Sequence, residues 1–442
     1  MKQIILFGAG RSATYLIDYL LEHAEAEEFQ LVLADSNIEI AELKIGNHPR
    51  GRAVACDINN TAMRQALIAQ ASFVISMLPA FLHFLVAKDC LLYGKDMATA
   101  SYLSDEIKAM EPEITAKGLV FANELGLDPG IDHMSAMKLL DDIKSKGGQI
   151  ISFKSYTGGL VAKESDDNPW HYKVSWNPRN VILAGQCTSQ YLENGEIKFL
   201  PYSRLFSQSE EVDVIGHGNF SMYVNRDSIK YVDLYRLDGI NTMIRGTFRG
   251  EGYCEAWSVL IDLGMTDDST KLSLEAGFSI ANFTKSFLIS EDCETKEKIE
   301  RTIRRNISPA TYERIEYLQL FSDECCPLSH PTPAQVLEHI IVNKWVLRPN
   351  DKDLIVMQHE VKYRLDNEVR TVYSTLYREG KNDIYTAMAE TVGLPLAIYT
   401  KLRLRGMFNK PGVFIPVEKE IYEPILKELS SLGIHFMESE NV

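Results

Sequence analysis

The sequence lacks the cysteine and histidine patterns that hold metals or cross-link small folds. Its seven cysteines are scattered over 442 residues without a C-x-x-C motif, and the neighbours Cys325 and Cys326 cannot form an ordinary bridge with each other. The ten histidines form neither H-E-x-x-H nor H-x-H. We therefore expect no metal site and no disulfides, and we interpret the cysteines as reduced thiols.

Long apolar runs are also missing, and basic residues are fewer than acidic ones. No stretch has the roughly twenty apolar residues of a membrane-spanning helix. Lys and Arg number 46 against 61 Asp and Glu, a net charge of −15. This balance disfavours nucleic acid and anionic membranes as partners. Because the N-terminus enters a predicted strand with no apolar leader before it, we expect a cytoplasmic protein.

A glycine-rich turn of the kind that binds dinucleotides lies near the N-terminus. It has the spacing G-x-G-x-x-A and lies between an apolar strand and a helix-periodic segment. In such a turn the first glycine allows the tight bend, the second lets a pyrophosphate approach the backbone, and the alanine lets the helix pack closely on the strand. We predict cofactor contacts at Gly8, Gly10, Arg11, Ser12 and Ala13.

The second predicted strand ends in an acidic residue that bears on cofactor choice. Asp35 follows the apolar segment Leu31–Ala34, about twenty residues beyond the glycines. A carboxylate there can accept hydrogen bonds from the adenosine ribose, and it would repel the 2′-phosphate of NADP. We therefore predict NAD as the preferred cofactor, with NADP possible, and contacts at Asp35 and Ser36. The alternative is that Asp35 only caps the following loop.

Strands and helices alternate through the first 127 residues, which predicts an α/β fold with a Rossmann-type, doubly wound parallel sheet. Ligands bind such sheets at the carboxyl ends of the strands. The polar and turn residues at those ends supply further candidates. We predict cofactor contacts at Asp57, Ser76, Leu78, Asn123 and Leu127, and Ser101 and Tyr102 are expected at the same edge.

The pattern changes after Leu127, where a turn opens a helix predicted from Ile131 to about Lys146. Residues 128–269 and 346–390 read as a mixed α/β substrate-binding and dimerisation domain, and residues 270–345 as a small all-helical insert. Leu354–Tyr363 and Val369–Tyr377 predict a hairpin around Asp366 and Asn367. The C-terminal segment 391–442, with a predicted helix at 421–432 and strand at 434–436, is expected to return to the Rossmann domain.

Several segments, in order along nearly the whole chain, resemble motifs of the glutamate-forming saccharopine dehydrogenases, also called saccharopine reductases. The resemblance implies oxidation of saccharopine, with a nicotinamide cofactor and water, to L-glutamate and 2-aminoadipate 6-semialdehyde, a reversible step of lysine metabolism. It also implies a homodimer. The segments are Ser101–Tyr102, Asn123–His133, Ser155–Leu160, Ser165–Pro169, Tyr172–Trp176, Asn225–Ser228, Ile244–Arg249, Val356–His359 and Thr391–Pro395.

The resemblance also assigns substrate and cofactor roles, and it makes Ser101 and Tyr102 substrate contacts through hydroxyl and backbone. Arg226 and the stretch Thr247–Phe248–Arg249 would bind carboxylates, because a guanidinium can bind a carboxylate through two hydrogen bonds. Arg226 can equally form only a surface ion pair with Asp227. Asp128 would hold the substrate ammonium, or serve as a helix cap. Trp176 would border the nicotinamide, or belong to the core.

The residue that transfers protons stays open among several candidates. Asp128, Lys173 and His133 are predicted as catalytic, with Glu124 and Tyr172 as further possibilities and a water molecule as another. Thr157, a predicted substrate contact, stands where the fungal members of the family carry cysteine. If that cysteine were needed for catalysis, Thr157 would place the activity in doubt.

Two other functions compete with this one. A related enzyme that joins an amine to an aldehyde, such as a carboxynorspermidine dehydrogenase, would be expected to hold more acidic groups and fewer arginines in its site. A non-catalytic dinucleotide sensor would keep Gly8, Gly10 and Asp35 and could lose the substrate residues. Arg226 and Arg249 argue against both.

Overall fold

The computed structural model describes residues 1–274 and 277–441. The chain forms two compact units, each described below by itself. The first comprises Met1–Gly148 and Gly380–Met437, and the second comprises Gln149–Glu379 and the short segment from Glu438 onward. Nowhere in the described ranges is there a helix with both the length and the apolar content to cross a membrane.

The strands are, in chain order, β1 (Lys2–Phe7), β2 (Phe29–Asp35), β3 (Gly51–Ala55), β4 (Phe73–Ser76), β5 (Met97–Thr99), β6 (Val120–Ala122), β7 (Gln149–Val161), β8 (Ser189–Glu193), β9 (Glu196–Leu200), β10 (Glu210–Val214), β11 (Gly218–Val224), β12 (Thr242–Arg249), β13 (Asp353–Leu365), β14 (Glu368–Glu379), β15 (Gly412–Phe414) and β16 (Met437–Asn441).

The α-helices are α1 (Thr14–His23), α2 (Ile38–Ile45), α3 (Thr61–Gln70), α4 (His83–Tyr93), α5 (Asp105–Ala109), α6 (Glu111–Ala116), α7 (Ile131–Ser145), α8 (Pro178–Ile182), α9 (Tyr202–Leu205), α10 (Lys230–Leu234), α11 (Tyr253–Asp262), α12 (Ile280–Lys285), α13 (Thr295–Ile303), α14 (Pro309–Tyr317), α15 (Pro333–Lys344), α16 (Ala387–Leu404) and α17 (Lys419–Ser431).

The first unit is built on a parallel sheet with strand order β15-β6-β5-β4-β1-β2-β3. Residues Ile4–Phe7 of β1 are almost completely buried, as expected for a strand with helices on both faces of its sheet. β1 pairs in parallel with both β2 and β4, so the chain reverses its direction of strand addition beside β1. The predicted doubly wound parallel sheet is confirmed.

The C-terminal segment contributes to both units. Within the first unit α16 packs closely on α1. Gly393 allows this approach, since a Cβ at that position would lie only 2.9 Å from the backbone nitrogen of Leu16. The predicted strand at 434–436 is wrong. The Ile434 amide donates to the Leu429 carbonyl and closes α17, and the strand begins only at Met437, where β16 joins β14 in the second unit.

The helix predicted from Ile131 is observed as α7, and it belongs to the first unit rather than to the substrate domain in which we expected it. It packs against α17, and the Tyr422 hydroxyl donates to the Asp141 carboxylate at 2.7 Å. The structural division therefore falls after Gly148, about twenty residues beyond the turn at Leu127. A sequence turn marks where the chain changes direction, and helix packing decides which unit an element joins.

The second unit holds a mixed sheet with strand order β10-β11-β12-β7-β13-β14-β16, to which β8 and β9 add at β12. β7 lies in its centre, parallel to β12 and antiparallel to β13. The predicted hairpin is confirmed as β13 and β14. Asp366 and Asn367 have positive φ values of 51° and 65°, the conformation that a two-residue hairpin turn requires.

The predicted helical insert contains α12 to α15. None of the strands β1 to β16 lies in the part of 270–345 that the structure describes, which excludes Glu275 and Ala276. These helices share one apolar cluster with the sheet of the second unit. Trp170, Tyr253, Trp257 and Trp345 stand at its centre, with ring centroids 5.1–6.3 Å apart.

Candidate active site

The glycine turn in the first unit has the shape that a dinucleotide needs. Gly8 has φ +102°, and a Cβ there would lie 2.5 Å from the Met77 carbonyl oxygen of the neighbouring strand end. A Cβ at Gly10 would meet nothing within 4 Å, so the backbone there is open to a ligand. Ala13 is buried where α1 begins. Arg11 and Ser12 form the 3-10 turn before it. A pyrophosphate fits this open helix start.

Asp35 uses its carboxylate to hold two backbone segments. Its Oδ2 accepts from the Ala9 amide at 2.7 Å, and its Oδ1 accepts from the Asn37 amide at 2.8 Å. Ser36 is exposed beside it. Asp35 thus ties the glycine turn to the loop after β2, which is the loop-capping alternative of the sequence interpretation.

A further cation lies against the same turn. Lys44 of α2 donates from Nζ to the Gly10 carbonyl at 2.7 Å and to the Thr14 hydroxyl at 3.0 Å. Burial lowers the pKa of its ammonium to about 8, although the carboxylates of Asp18 and Asp35 act in the opposite direction. The sequence interpretation missed Lys44, because a lysine on an amphipathic helix carries no signal of its own.

At the carboxyl edge of the sheet, a buried histidine joins two of the predicted residues. His83 Nδ1 lies 2.8 Å from the hydroxyl of Ser76, and its Nε2 lies 2.7 Å from the hydroxyl of Ser101. Burial lowers the pKa of His83 to about 4. The sequence interpretation missed this residue as well. Its only signal is a histidine at the start of the helix after β4, which is too common to be specific.

The loop that carries Ser101 and Tyr102 is held by Glu124. The Glu124 amide donates to the Ser101 carbonyl at 3.0 Å, and its Oε1 accepts from the Leu103 amide at 3.0 Å. The other oxygen, Oε2, lies 2.7 Å from Nε2 of the fully buried His133. Glu124, itself paired with the buried His133, therefore holds the loop of Ser101 and Tyr102 in place.

Tyr102 of that loop contacts Asp128. The Tyr102 hydroxyl donates to Oδ1 of Asp128 at 3.0 Å, and both side chains are partly exposed. The remaining predicted residues of this unit stand around the same edge. Asp57 is exposed and accepts from the Asn59 amide, Leu78 is half-buried, and Asn123 and Leu127 are buried.

The other predicted residues lie in the second unit. Thr157 of β7 and Thr247 of β12 are register partners on neighbouring parallel strands. Phe248 is fully buried, with its backbone against Gly158, where a Cβ would lie 2.8 Å from the Phe248 carbonyl oxygen. Trp176 is half-buried and donates from Nε1 to the Tyr172 hydroxyl at 3.2 Å.

The two predicted carboxylate-binding arginines differ in their surroundings. Arg226 is exposed, with φ +36°, and its carbonyl accepts from the Gln190 amide at 2.7 Å. Arg249 is buried, and its guanidinium lies 5.4–5.6 Å from three tyrosine ring centroids. It donates to the Phe248 carbonyl and the Tyr223 hydroxyl, and its Nε has no hydrogen-bond partner among the described residues.

Lys173 is enclosed by acidic partners. Its side chain is 2 % exposed, and Nζ lies 2.7 Å from Asp351 Oδ2 and 2.9 Å from Asp167 Oδ1. Burial alone would raise the pKa of Asp167, but the hydrogen bond and the charge of Lys173 bring that pKa below its usual value. Lys173 thus forms ion pairs with two carboxylates.

Comparison with known proteins finds related sequences along nearly the whole chain. Residues 4–121 match the family model described as the saccharopine dehydrogenase NADP binding domain, and residues 126–434 match the saccharopine dehydrogenase C-terminal domain. The chain is 33% identical to the saccharopine dehydrogenase [NADP(+), L-glutamate-forming] of Saccharomyces cerevisiae, over 99% of both chains. It is 32% identical to the mitochondrial alpha-aminoadipic semialdehyde synthase of Bos taurus, over 98% of this chain and 47% of that one.

Solved structures show the same likeness. The apo histidine-tagged saccharopine dehydrogenase (L-Glu forming) of Saccharomyces cerevisiae superposes with a TM-score of 0.89 and 31% identity over the full length of both chains. A homospermidine synthase of Legionella pneumophila in complex with NAD superposes with a TM-score of 0.56 at 10% identity, which indicates a shared fold.

The predicted preference for NAD is wrong. The matching N-terminal family model is an NADP-binding domain, and the relatives from Saccharomyces cerevisiae and Schizosaccharomyces pombe are named for NADP(+). The physical reason lies in Asp35, whose two carboxylate oxygens accept backbone N–H groups. An acidic residue at this position therefore has a role within the protein itself, and its presence alone does not indicate a preference for NAD.

Proposed function

The chain belongs to the saccharopine dehydrogenase family of oxidoreductases, and on that premise we propose that it oxidises saccharopine with NADP+ and water to L-glutamate and 2-aminoadipate 6-semialdehyde, reversibly. The observation that carries the proposal is the full-length similarity to a relative named for this activity. It is supported by an open glycine turn and the Tyr102–Asp128 pair on the same parallel sheet.

The proposed reaction needs few protein groups. NADP+, when bound, would supply the acceptor for the hydride of the ε-carbon of the lysine half, and the secondary amine would give up its proton to the protein or to water. Water then adds to the resulting C=N bond of the substrate, and the C–N bond breaks to release glutamate and the aldehyde. The protein has to bind three carboxylates and one ammonium, orient the C–H bond, and move protons.

We assign the substrate ammonium to Asp128. Its carboxylate is partly exposed, and the Tyr102 hydroxyl holds one oxygen in place. Of the three predicted catalytic residues, Asp128 is the one best placed to exchange a proton with substrate or water. His133 is fully buried beside Glu124, and Lys173 is buried between two carboxylates.

For the carboxylates we propose Arg226 and Arg249, with the hydroxyls of Thr157 and Thr247. Arg226 presents an exposed guanidinium. Arg249 keeps one N–H group, on Nε, without a partner in the described part of the chain, and a buried unpaired donor is costly unless a ligand accepts from it. Phe248 and Trp176 would shape the site around them.

NADP+ would be held by the glycine turn Gly8–Ala13, the loop from Asp35 to Ser36, and the strand ends at Asp57, Ser76, Leu78, Asn123 and Leu127. We also propose a homodimer in the cytoplasm, because the family resemblance implies a homodimer and because all seven cysteines are free thiols, as expected in a reducing compartment.

The test is steady-state oxidation of saccharopine by the purified protein, with NADP+ and NAD+ compared and with carboxynorspermidine as a second substrate. We expect turnover with saccharopine, faster with NADP+. Turnover only with carboxynorspermidine would overturn the substrate assignment in favour of the related reductive-amination enzyme. Tight dinucleotide binding without turnover of either amine would instead favour the non-catalytic sensor.

A further inference from the structure

His83 forms one connection between the cofactor side and the substrate side of the first unit. Its two ring nitrogens lie within 2.8 Å of the hydroxyls of Ser76 and Ser101. Ser76 is completely buried and His83 is 4 % exposed, so water does not compete freely for these contacts. Such a bridge of three side chains is not needed to form the sheet, because β4 and β5 already pair through their backbones.

The two serines stand at different parts of the candidate site. Ser76 is the register partner of Phe7, the residue directly before Gly8 of the glycine turn. Ser101 directly precedes Tyr102, whose hydroxyl holds Asp128. One hydroxyl therefore borders the dinucleotide-binding turn, and the other borders the residues assigned to the substrate ammonium.

The chemistry of a neutral imidazole sets the roles of both hydroxyls. Because burial lowers its pKa to about 4, His83 is uncharged near pH 7. A neutral imidazole donates from one nitrogen and accepts at the other. One serine must then accept from the ring and keep its own O–H for another partner, while the other serine donates to the ring. Either tautomer fixes the two hydroxyls in opposite roles.

We propose that His83 is a positioning residue that holds Ser76 in place beside the dinucleotide-binding turn and orients the Ser101 hydroxyl toward the amine substrate. The substrate half of this inference rests on the proposed function. Both ring nitrogens of His83 are engaged by serine hydroxyls, so its effect would pass through those two groups.

Two substitutions separate the halves of the bridge. The amide of asparagine can replace Nδ1 of histidine, and the longer glutamine can replace Nε2. His83→Asn should keep the contact to Ser76 and lose the one to Ser101, while His83→Gln should do the reverse. We expect His83→Asn to raise the KM for saccharopine about tenfold with little change in the NADP+ dissociation constant. We expect His83→Gln to weaken NADP+ binding about tenfold and to leave the KM for saccharopine nearly unchanged.

The NADP+ dissociation constant is measured by calorimetry without substrate, so half of the test does not depend on turnover. His435→Asn and His435→Gln are the matched controls, because His435 is exposed and lies in the same unit. A role in packing alone would move both constants together. Equal changes in both variants, or no change in either, would overturn the proposal.

Fold integrity is checked by circular dichroism. If either His83 variant does not fold, Ser76→Ala and Ser101→Ala carry the same crossed test, since each removes one hydroxyl. Ser76→Ala should then weaken only NADP+ binding, and Ser101→Ala should raise only the KM for saccharopine; indistinguishable effects would overturn the proposal.

Turnover by the wild-type protein distinguishes a failure of the proposed function from a failure of the role proposed for His83. Absence of wild-type turnover with saccharopine would refute the proposed function, and with it the substrate half of the role of His83. Wild-type turnover without the crossed pattern would refute only the role of His83.

Discussion

The Tyr102 hydroxyl donates a hydrogen bond to Oδ1 of Asp128 across 3.0 Å. The two residues come from separate strand ends, after β5 and after β6, and they meet because parallel strands end at the same edge of a sheet. The loop of Tyr102 is held by Glu124, whose carboxylate accepts from the Leu103 amide. The orientation of the Asp128 carboxylate is therefore set before any substrate binds.

Removal of this hydroxyl should reduce catalysis without affecting the cofactor. We expect Tyr102→Phe to lower kcat/KM for saccharopine about three- to tenfold, because the Asp128 carboxylate loses one orienting donor. The NADP+ dissociation constant should not change. Tyr93→Phe is a suitable control, since Tyr93 is similarly exposed in the same unit and its hydroxyl bonds only weakly to Gln65, at 3.4 Å. A smaller loss for Tyr102→Phe than for Tyr93→Phe would contradict this expectation.

Neutralisation of Asp128 should affect substrate binding more strongly. Asp128→Asn keeps an acceptor for Tyr102 and removes the charge that would pair with the ammonium. We expect the KM for saccharopine to rise about tenfold to a hundredfold, in line with the loss of a charge-assisted hydrogen bond. Steady-state kinetics at saturating NADP+ measure it. An unchanged KM with a reduced kcat would assign Asp128 to proton transfer alone.

Replacement of Lys173 should act on stability. Lys173→Met leaves Asp351 and Asp167 beside a buried apolar side chain. Breaking a fully buried ion pair costs about 3–5 kcal/mol, and because Asp167 is 41 % exposed we expect about 2–3 kcal/mol here. Thermal unfolding of the variant measures the loss, and Lys352→Met, which breaks a largely exposed pair with Glu164, is the control. Full stability with lost turnover would restore Lys173 as a catalytic candidate.

Asp35 should behave as a structural acceptor. Asp35→Ala leaves the amides of Ala9 and Asn37 without their partner, and we expect a loss of about 1–3 kcal/mol in unfolding free energy. Asp35→Asn, which keeps one acceptor oxygen, should lose about half as much. Comparison of the thermal unfolding midpoints of the two variants tests this. Wild-type stability in Asp35→Ala would show that the carboxylate does not hold the turn.

His83 should make stability depend on pH. Its pKa is about 4 in the folded protein and near 6.5 when unfolded, so between these values the unfolded chain binds more protons. This contribution is present above pH 6.5 and is lost as pH falls toward 4, by about 3 kcal/mol over the whole interval. The difference in unfolding midpoint between wild type and His83→Gln should therefore shrink from pH 7 to pH 4.5. A constant difference would contradict the buried neutral state.

Local patterns were sufficient for the parallel sheet of the first unit, for its glycine turn and for the hairpin. Gly8, Gly10 and Ala13 act through the conformation and size of single residues, and β1 is recognisable because a strand covered on both faces is apolar throughout. Asp366 and Asn367 specify a turn through their own φ angles. These features depend on neighbours a few residues away, and a sequence displays such neighbours directly.

Contacts between distant residues could be recognised only in the folded chain. The role of Asp35 depends on which amides reach its oxygens, and the bridge through His83 depends on two strands ending side by side. The membership of α7 in the first unit and the pairing of β16 with β14 likewise follow from packing between segments that lie far apart in the sequence. The sequence therefore specified most helices and strands, the glycine turn and the family. The tertiary structure decided which polar groups find hydrogen-bond partners within the protein, because those partners come from distant segments that meet only in the folded chain.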